Sequence, residues 1–218
     1  SNNIMSFTFT TLKTAIQDYT DNSETTFVNN LTTFIVSAEE RILKNVQLSL
    51  FRKNSTGSTS NANKYLALPS DFLTPFSLSI ISSSEHIFLD LKDVNFVQSF
   101  NPNPATTGTP RYYAIFDYQN LILAPTPDSA YTAELHYFYR PTSITTSGDG
   151  SSWLGTNAPN TLLYGSLVEA YTFMKGEADI QQLYGQRFEE AILALKNFGE
   201  AKEVTDQYRS GMIVRQKQ

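Results

Sequence analysis

The 218-residue chain contains no cysteine, so disulfide bonds and thiolate metal sites are both excluded. This absence fits a protein that is made and kept in a reducing cytoplasm. The chain also has no apolar run of about 18 residues, so no membrane-spanning helix is predicted. Its first residues lack the basic and apolar regions of a signal peptide.

The chain has too few basic residues for a protein that binds nucleic acid electrostatically. Sixteen lysines and arginines stand against 21 aspartates and glutamates, which gives a net charge of −5 and a pI near 5.0. A protein that binds DNA by releasing counterions needs a basic face. Only the last residues differ, because Arg209, Arg215 and Lys217 occur there without an acidic residue.

Apolar residues recur at helical spacing near both ends of the chain. The pattern predicts one long helix over residues 24–50, preceded by a short helix over residues 12–19. The same pattern predicts two more helices in tandem over residues 159–208, with a break between them near Lys175 and Gly176. The last stripe consists of Ile180, Tyr184, Phe188, Ala191, Leu195, Phe198, Ala201, Val204 and Tyr208. Because amphipathic helices are stabilised mainly by packing, we expect these helices to form one bundle.

The middle of the chain has the two-residue period of β-strands. Residues 131–140 alternate most clearly, with Tyr131, Ala133, Leu135, Tyr137 and Tyr139 on one face. Further strands are predicted at 65–69, 76–81, 86–91, 111–116 and 121–123. Residues 92–100 are ambiguous and could form a short helix. Short turns join the strands, so we predict an antiparallel sheet.

The fold class predicted from these patterns is α+β, a helical bundle built from N- and C-terminal helices with an inserted antiparallel β-domain. The bundle takes residues 1–61 and 143–208, and the β-domain takes residues 62–142. Residues 209–218 form a C-terminal extension. The polar, low-complexity segment 54–61 is predicted to be a flexible surface loop.

No catalytic, cofactor or metal site is predicted. His86 and His136 each lie on a predicted strand, without a second histidine or a carboxylate at metal-ligand spacing. The strand pattern places His136 toward solvent or a second sheet. Glu189 and Glu190 are adjacent on a helix and point about 100° apart, so they do not converge on one substrate atom. A Ser–His–Asp set drawn from distant segments remains an open alternative.

Two features suggest binding. The aromatic residues, 15 phenylalanines and 12 tyrosines, cluster in the predicted sheet, where they either fill a core or stack on sugar rings. The C-terminal segment from Ser210 to Arg215 is short, partly apolar and basic. Its Met-Ile-Val triplet suits docking on a neighbouring molecule, and an inert frayed terminus is the alternative.

Three stretches, taken in order, resemble the head-to-tail adaptor proteins of short-tailed phages, also called tail tubular protein A. The first, Tyr65–Phe72, contains Leu-Pro-Ser-Asp-Phe and is similar to the family's Leu-Pro-x-Asp-aromatic signature. The second comprises Gly108–Tyr113, Leu121–Pro127 and Tyr137–Pro141. The third comprises Trp153-Leu154, Pro159 and Leu162–Tyr171.

The resemblance implies a non-enzymatic structural protein of the virion, made in the host cytoplasm and placed at the head–tail junction. Family members form a twelve-subunit ring between the portal ring and a tail nozzle of the tail tubular protein B type. Genomic DNA passes through this ring without sequence-specific binding, and no cofactor or membrane is involved. The family's C-terminal segment engages the portal, which assigns that role to Arg209, Met212, Ile213, Val214, Arg215 and Lys217.

The first long helix is expected to be apolar on two sides, because Phe27, Ile35 and Leu43 fall off its strict stripe. Such flanks suit a protomer that meets different neighbours on its two sides in a ring. Two other functions remain open: a neck or baseplate subunit without a portal interface, and a glycan-binding or glycan-cleaving tail protein.

Overall fold

The structure, a computed structural model, describes residues 5–46 and 48–209 and has the predicted α+β fold. Its helices are α1 Phe9–Thr20, α2 Thr25–Leu43, α3 Val94–Phe100, α4 Trp153–Asn157, α5 Pro159–Met174 and α6 Ala178–Arg209, with a 3-10 turn at Leu48–Leu50. Its strands are β1 Arg52–Ser58, β2 Tyr65–Ala67, β3 Phe72–Ser82, β4 Glu85–Leu91, β5 Thr107–Gly108, β6 Tyr112–Ile115, β7 Asn120–Ala124, β8 Thr126–Pro127 and β9 Thr132–Tyr139.

The chain divides into two compact units. The helical unit combines Ser1–Leu50 with Pro141–Gln218, and the sheet unit is Phe51–Arg140. Residues 51–61, which the sequence pattern assigned to the bundle, therefore lie in the sheet unit. Each unit has its own apolar interior.

Helix α5 is the centre of the helical unit and contacts α1, α2, α4 and α6. Neighbours on several sides explain why its buried residues are not confined to one stripe. They are Thr161, Leu162, Leu163, Gly165, Ser166, Leu167, Ala170 and Tyr171. Pro159 begins the helix and Lys175 ends it in the left-handed conformation, with φ of 54°. The predicted tandem helices and the break between them are confirmed.

Helix α2 differs from its prediction in length and in the role of its wide stripe. It ends at Leu43, not near Leu50, because the chain turns into the 3-10 segment. Phe27 and Ile35, expected on outward flanks, are 1% and 0% exposed. The stripe is wide because α2 packs against both α1 and α5, so it faces the unit's own interior.

The sheet unit contains a seven-stranded sheet in the order β1-β9-β3-β4-β6-β7-β2. Its inner face surrounds one apolar cluster, to which Leu78, Leu121 and Tyr137 contribute. The predicted alternation of β9 is confirmed, since Ala133, Leu135 and Tyr137 are buried.

The expectation of a purely antiparallel sheet is wrong at one point. Strands β4 and β6 pair in parallel at Asp90–Tyr112 and Leu91–Tyr113. Parallel neighbours need a crossover connection, and α3 is part of the segment that supplies it here. The ambiguous segment 92–100 is thus mostly helical. A separate pair, β5 and β8, is also parallel.

The predicted flexible loop at 54–61 is wrong for its first five residues. They belong to β1, which pairs antiparallel with β9 from Arg52–Phe138 to Ser58–Thr132. Six of the seven residues of β1 are exposed, so the strand has no apolar face that a periodicity search would detect. Its order comes from backbone pairing at the sheet edge, which depends little on side-chain type.

A polar loop around Asp149, which precedes α4, is organised by side-chain hydrogen bonds. The Asp149 carboxylate accepts bonds from the Ser147 hydroxyl at 2.7 Å and from the Ser151 hydroxyl and amide at 2.8 and 3.0 Å. These donors lower the pKa of Asp149 to about 2. Gly150 follows with φ of +70°, and its carbonyl accepts from the Phe9 amide. The loop therefore holds the start of α1.

Candidate functional site

The helical unit carries an open groove of about 420 Å³ between α2, α5 and α6, here called the α2–α6 groove. Its apolar wall includes Val168, Phe188 and Ile192. Arg41 and Lys196 supply positive charge at the groove, and Arg41 pairs with Glu169 of α5. The arrangement offers an apolar surface beside charged side chains.

A second groove, of about 510 Å³, lies on α6 beside the junction of α4 and α5 and is called the α4–α6 groove. Ala158 and Pro159 form part of one wall. Ala191, Leu195 and Phe198 of α6 form the other. Small side chains at the junction leave the space open.

Helix α6 exposes large apolar side chains close to both grooves. Leu193, on the α2–α6 groove, is 59% exposed, and Phe198, on the α4–α6 groove, is 56% exposed. Of the apolar stripe predicted for this helix, Phe188 and Leu195 are buried inside the unit, whereas Phe198 is exposed. Exposed apolar surface next to grooves is typical of sites that bind another protein. We therefore treat α6 and its two grooves as the candidate functional site.

In the sheet unit, four adjacent strands bring polar side chains to the outward carboxylate of Glu134. Its Oε1 accepts a hydrogen bond from Asn54 Nδ2 at 3.0 Å and lies 2.9 Å from His136 Nε2. Its Oε2 lies 4.0 Å from His86 Nδ1, which is 3.1 Å from Ser79 Oγ. The strand register sets this meeting, because Ser79 and Asn54 stand beside Glu134 and His136.

This cluster does not form a catalytic triad. A Ser–His–acid set uses one imidazole nitrogen for the nucleophile and the other for the acid. Here the same atom, His86 Nδ1, faces both Ser79 and Glu134, and Ser79 is 2% exposed. Within residues 5–46 and 48–209, no group of three or more histidine or acidic side chains is arranged to hold a metal ion.

Both histidines lie on strands as predicted, and His136 faces outward as its strand pattern indicated; about two-fifths of each side chain is exposed. Sequence reasoning missed the carboxylate between them. Glu134 and His136 are two residues apart on one strand, so their shared face was visible in the alternation. The approach of His86 depends on the pairing of β3 with β4 and β9, which no local pattern gives.

A second polar network lies near the edge of the sheet. Asp71 accepts a hydrogen bond from the buried Tyr137 hydroxyl at 2.8 Å and pairs with the Lys53 ammonium. Burial acts to raise the pKa of Asp71, but the hydrogen bonds from Lys53 and Tyr137 outweigh it and hold that pKa below its usual value. The same contact raises the pKa of Lys53.

Asp71→Asn should therefore lower the free energy of unfolding of the sheet unit by about 1 kcal/mol at pH 7, a modest amount because Lys53 is partly exposed. A carboxyl group whose pKa is lower in the folded state stabilises the fold at pH values above its unfolded pKa, about 3.9. This stabilisation is lost as the pH falls through the folded pKa. In urea titrations, the difference in free energy of unfolding between Asp71→Asn and wild type should therefore shrink below pH about 4. Asp90→Asn, at an exposed carboxylate, is the control; equal effects of the two variants would contradict the network.

The structure does not test the sequence assignment of a portal-binding segment. Arg209 is the last residue of α6, and Met212, Ile213, Val214, Arg215 and Lys217 lie outside the described residues. The two grooves on α6 were not predicted, because they depend on how three helices pack.

Comparison with known proteins gives one clear relation. The model of a family described as SU10 adaptor protein matches residues 7–215, which include both units. A search of curated proteins finds no match. None of the described helices is both long and apolar enough to cross a lipid bilayer.

Proposed function

Since this chain belongs to the SU10 adaptor protein family, a family of phage structural adaptors, we propose that it forms the ring that joins the portal to the tail. In this proposal the ring contains twelve copies, as in tail tubular protein A of short-tailed phages. A tail nozzle attaches below it, and the genome leaves through its channel. The observation that carries the proposal is the family match over nearly the whole chain.

The helical unit has surfaces suited to such a ring. A closed ring of one protein uses two different patches on each copy, one for each neighbour. The α2–α6 and α4–α6 grooves are two such patches, and both border exposed apolar residues of α6. We assign the subunit contacts of the ring to these grooves.

The charge of the chain supports passage of DNA without binding. A net charge of −5 does not attract phosphates, so the channel wall need not hold the genome as it moves. The C-terminal segment is the exception, with three basic residues and no acidic one. We propose that this segment, residues 209–218, engages the portal ring.

Deletion of residues 209–218 should abolish binding to the cognate portal ring while leaving the fold intact. The segment supplies Met212, Ile213 and Val214 for apolar contact and basic residues for charge. Binding would be measured by native mass spectrometry and the fold by circular dichroism. Replacing only Arg215 and Lys217 with glutamine separates charge from apolar docking. If the deletion variant still binds the portal ring as the wild type does, the assignment of portal binding to residues 209–218 is wrong.

The ring itself is tested by the mass of the complex with the portal and by two-dimensional averages of the same sample. We expect about twelve copies on one face of the portal ring. Absence of portal binding by a protein that is present in purified virions would favour a neck or baseplate subunit instead.

A further inference from the structure

We propose that the sheet unit binds an extended segment of another protein subunit along the free edge of β1. This segment would continue the sheet beyond β1, with alternate side chains entering a cleft between β1 and β2. The inference rests on the chain's place in a virion, as given under the proposed function, and not on the portal contact.

The outer edge of β1 offers unpaired backbone groups. Phe51 O accepts from Tyr139 N, and Thr59 N donates to Tyr131 O, so the odd-numbered residues of β1 bond to β9. In an antiparallel pair, the residues between them point their amides and carbonyls away. These residues include Asn54, Thr56 and Ser58.

Within the described ranges, the backbone groups of Asn54, Thr56 and Ser58 have no hydrogen-bond partner across this edge. Strand β2 is the other end of the sheet, and its hydrogen bonds to β7 run through Leu66 and its even-numbered neighbours. Ala67 therefore also directs its amide and carbonyl away from the sheet. The sheet thus has two open edges.

A cleft of about 120 Å³ lies between these edges. Ser55, Thr56 and Gly57 line it from β1, and Leu66 and Ala67 line it from β2. Its floor includes Ala133 and Leu135 of β9, which belong to the apolar interior. Short side chains on β1 leave this space, and a Cβ added at Gly57 would meet nothing within 4 Å.

The part of β1 that lines the cleft lacks the features that normally prevent strand addition; the charged residues of this strand, Arg52 and Lys53, lie at its start, and β2 is a short strand of three residues. Such edges usually carry charges, prolines or bulges. Residues 54–58 are Asn, Ser, Thr, Gly and Ser, and β2 is Tyr, Leu and Ala, so neither stretch contains a charge or a proline. The pairing of β1 with β9 runs without a register shift from Arg52 to Ser58.

The chemistry of the cleft identifies its occupant as a polypeptide strand. An extended backbone supplies donors and acceptors at the spacing of Asn54, Thr56 and Ser58, which a small apolar molecule does not. The absence of charge in the lining favours an uncharged segment of about five residues with small apolar side chains directed inward.

Hydrogen exchange of the protein in purified virions, compared with the free protein, tests this inference. The Asn54, Thr56 and Ser58 amides should exchange about 100-fold more slowly in virions, whereas the Ser55 and Gly57 amides, already bonded to β9, should change little. Fragmentation that resolves single amides shows this alternation. Equal exchange of residues 54–58 in virions and free protein would overturn the inference, even if the protein forms a ring on the portal.

Gly57→Glu, which adds a charged side chain at a cleft-lining position where a Cβ would meet nothing within 4 Å, should reduce that protection about tenfold or more in virions that carry the variant. Gly148→Glu makes the same change at an open position of the helical unit, so the protection of the β1 amides in virions should stay at the wild-type level. Protection of β1 that persists in Gly57→Glu at the wild-type level would argue against occupancy of the cleft. The inference is also supported if virions incorporate the wild-type chain but not Gly57→Glu, provided that in the free variant the amides bonded between β1 and β9 still exchange slowly.

Discussion

Replacing Gly165 with leucine should unfold the helical unit at room temperature or leave it only marginally stable. A Cβ at Gly165 would lie 2.7 Å from Phe188 Cε2 and 3.1 Å from the Ala38 Cβ. Phe188 is 4% exposed and Ala38 is fully buried, so neither can move aside cheaply. Overpacking of this kind costs about 1–3 kcal/mol for a small insertion. Alanine should therefore cost about 2 kcal/mol, and leucine well over 3 kcal/mol.

Urea titration followed by fluorescence of Trp153, the chain's only tryptophan and part of the same unit, measures the effect. Gly185→Ala is the matched control. It lies in α6, where an added Cβ meets nothing within 4 Å, so it should raise the free energy of unfolding by about 0.5–1 kcal/mol. A Gly165→Ala variant as stable as wild type would show that α5 does not approach α2 and α6 as described.

The second large effect is expected in the sheet unit from Leu121→Ala. Leu121 is 0% exposed and belongs to the apolar cluster inside the sheet. Removing a buried leucine side chain costs about 2–5 kcal/mol, because transfer energy is lost and a cavity remains. The reduced stability should appear as faster hydrogen exchange across β6 and β7, because Leu121 lies on β7 opposite Ile115 of β6.

Leu91→Ala makes the same substitution at a side chain that is 51% exposed. It should cost less than about 1 kcal/mol, because much of the leucine surface is already in water. If the two variants speed exchange equally, the interior of the sheet unit is not centred on Leu121.

The sequence predicted those parts of the fold in which one periodic pattern spans a whole element. The three long helices and the break after Met174 follow from apolar residues at helical spacing and from Pro159 at a helix start. Strand β9 follows from its alternation. Strand β1 could not be found in this way, because its side chains are polar and exposed and its order comes from pairing with a strand about 80 residues later.

The candidate site was less predictable, because it depends on packing between elements. The grooves beside α6 exist only where α2 and the α4–α5 junction approach it. Likewise, Phe27 and Ile35 were expected on outward flanks but are buried, since one helix cannot show how many neighbours it has. The adaptor function came from the resemblance to known adaptors and from the family match, not from the geometry of a site.

The insertion of the sheet unit within the helical unit has a consequence during synthesis. All strands of the sheet unit have been made by Arg140, whereas α1 and α2 lack their main partner until α5 is complete at Met174. Translation at about 5–20 residues per second separates these two points by about 2–7 s. In that interval the apolar face of α2, with Phe27, Leu31 and Ile35, has α1 as a neighbour but lacks α5, with which it makes most of its contacts. A nascent chain of this length is therefore the stage at which a chaperone has most to protect.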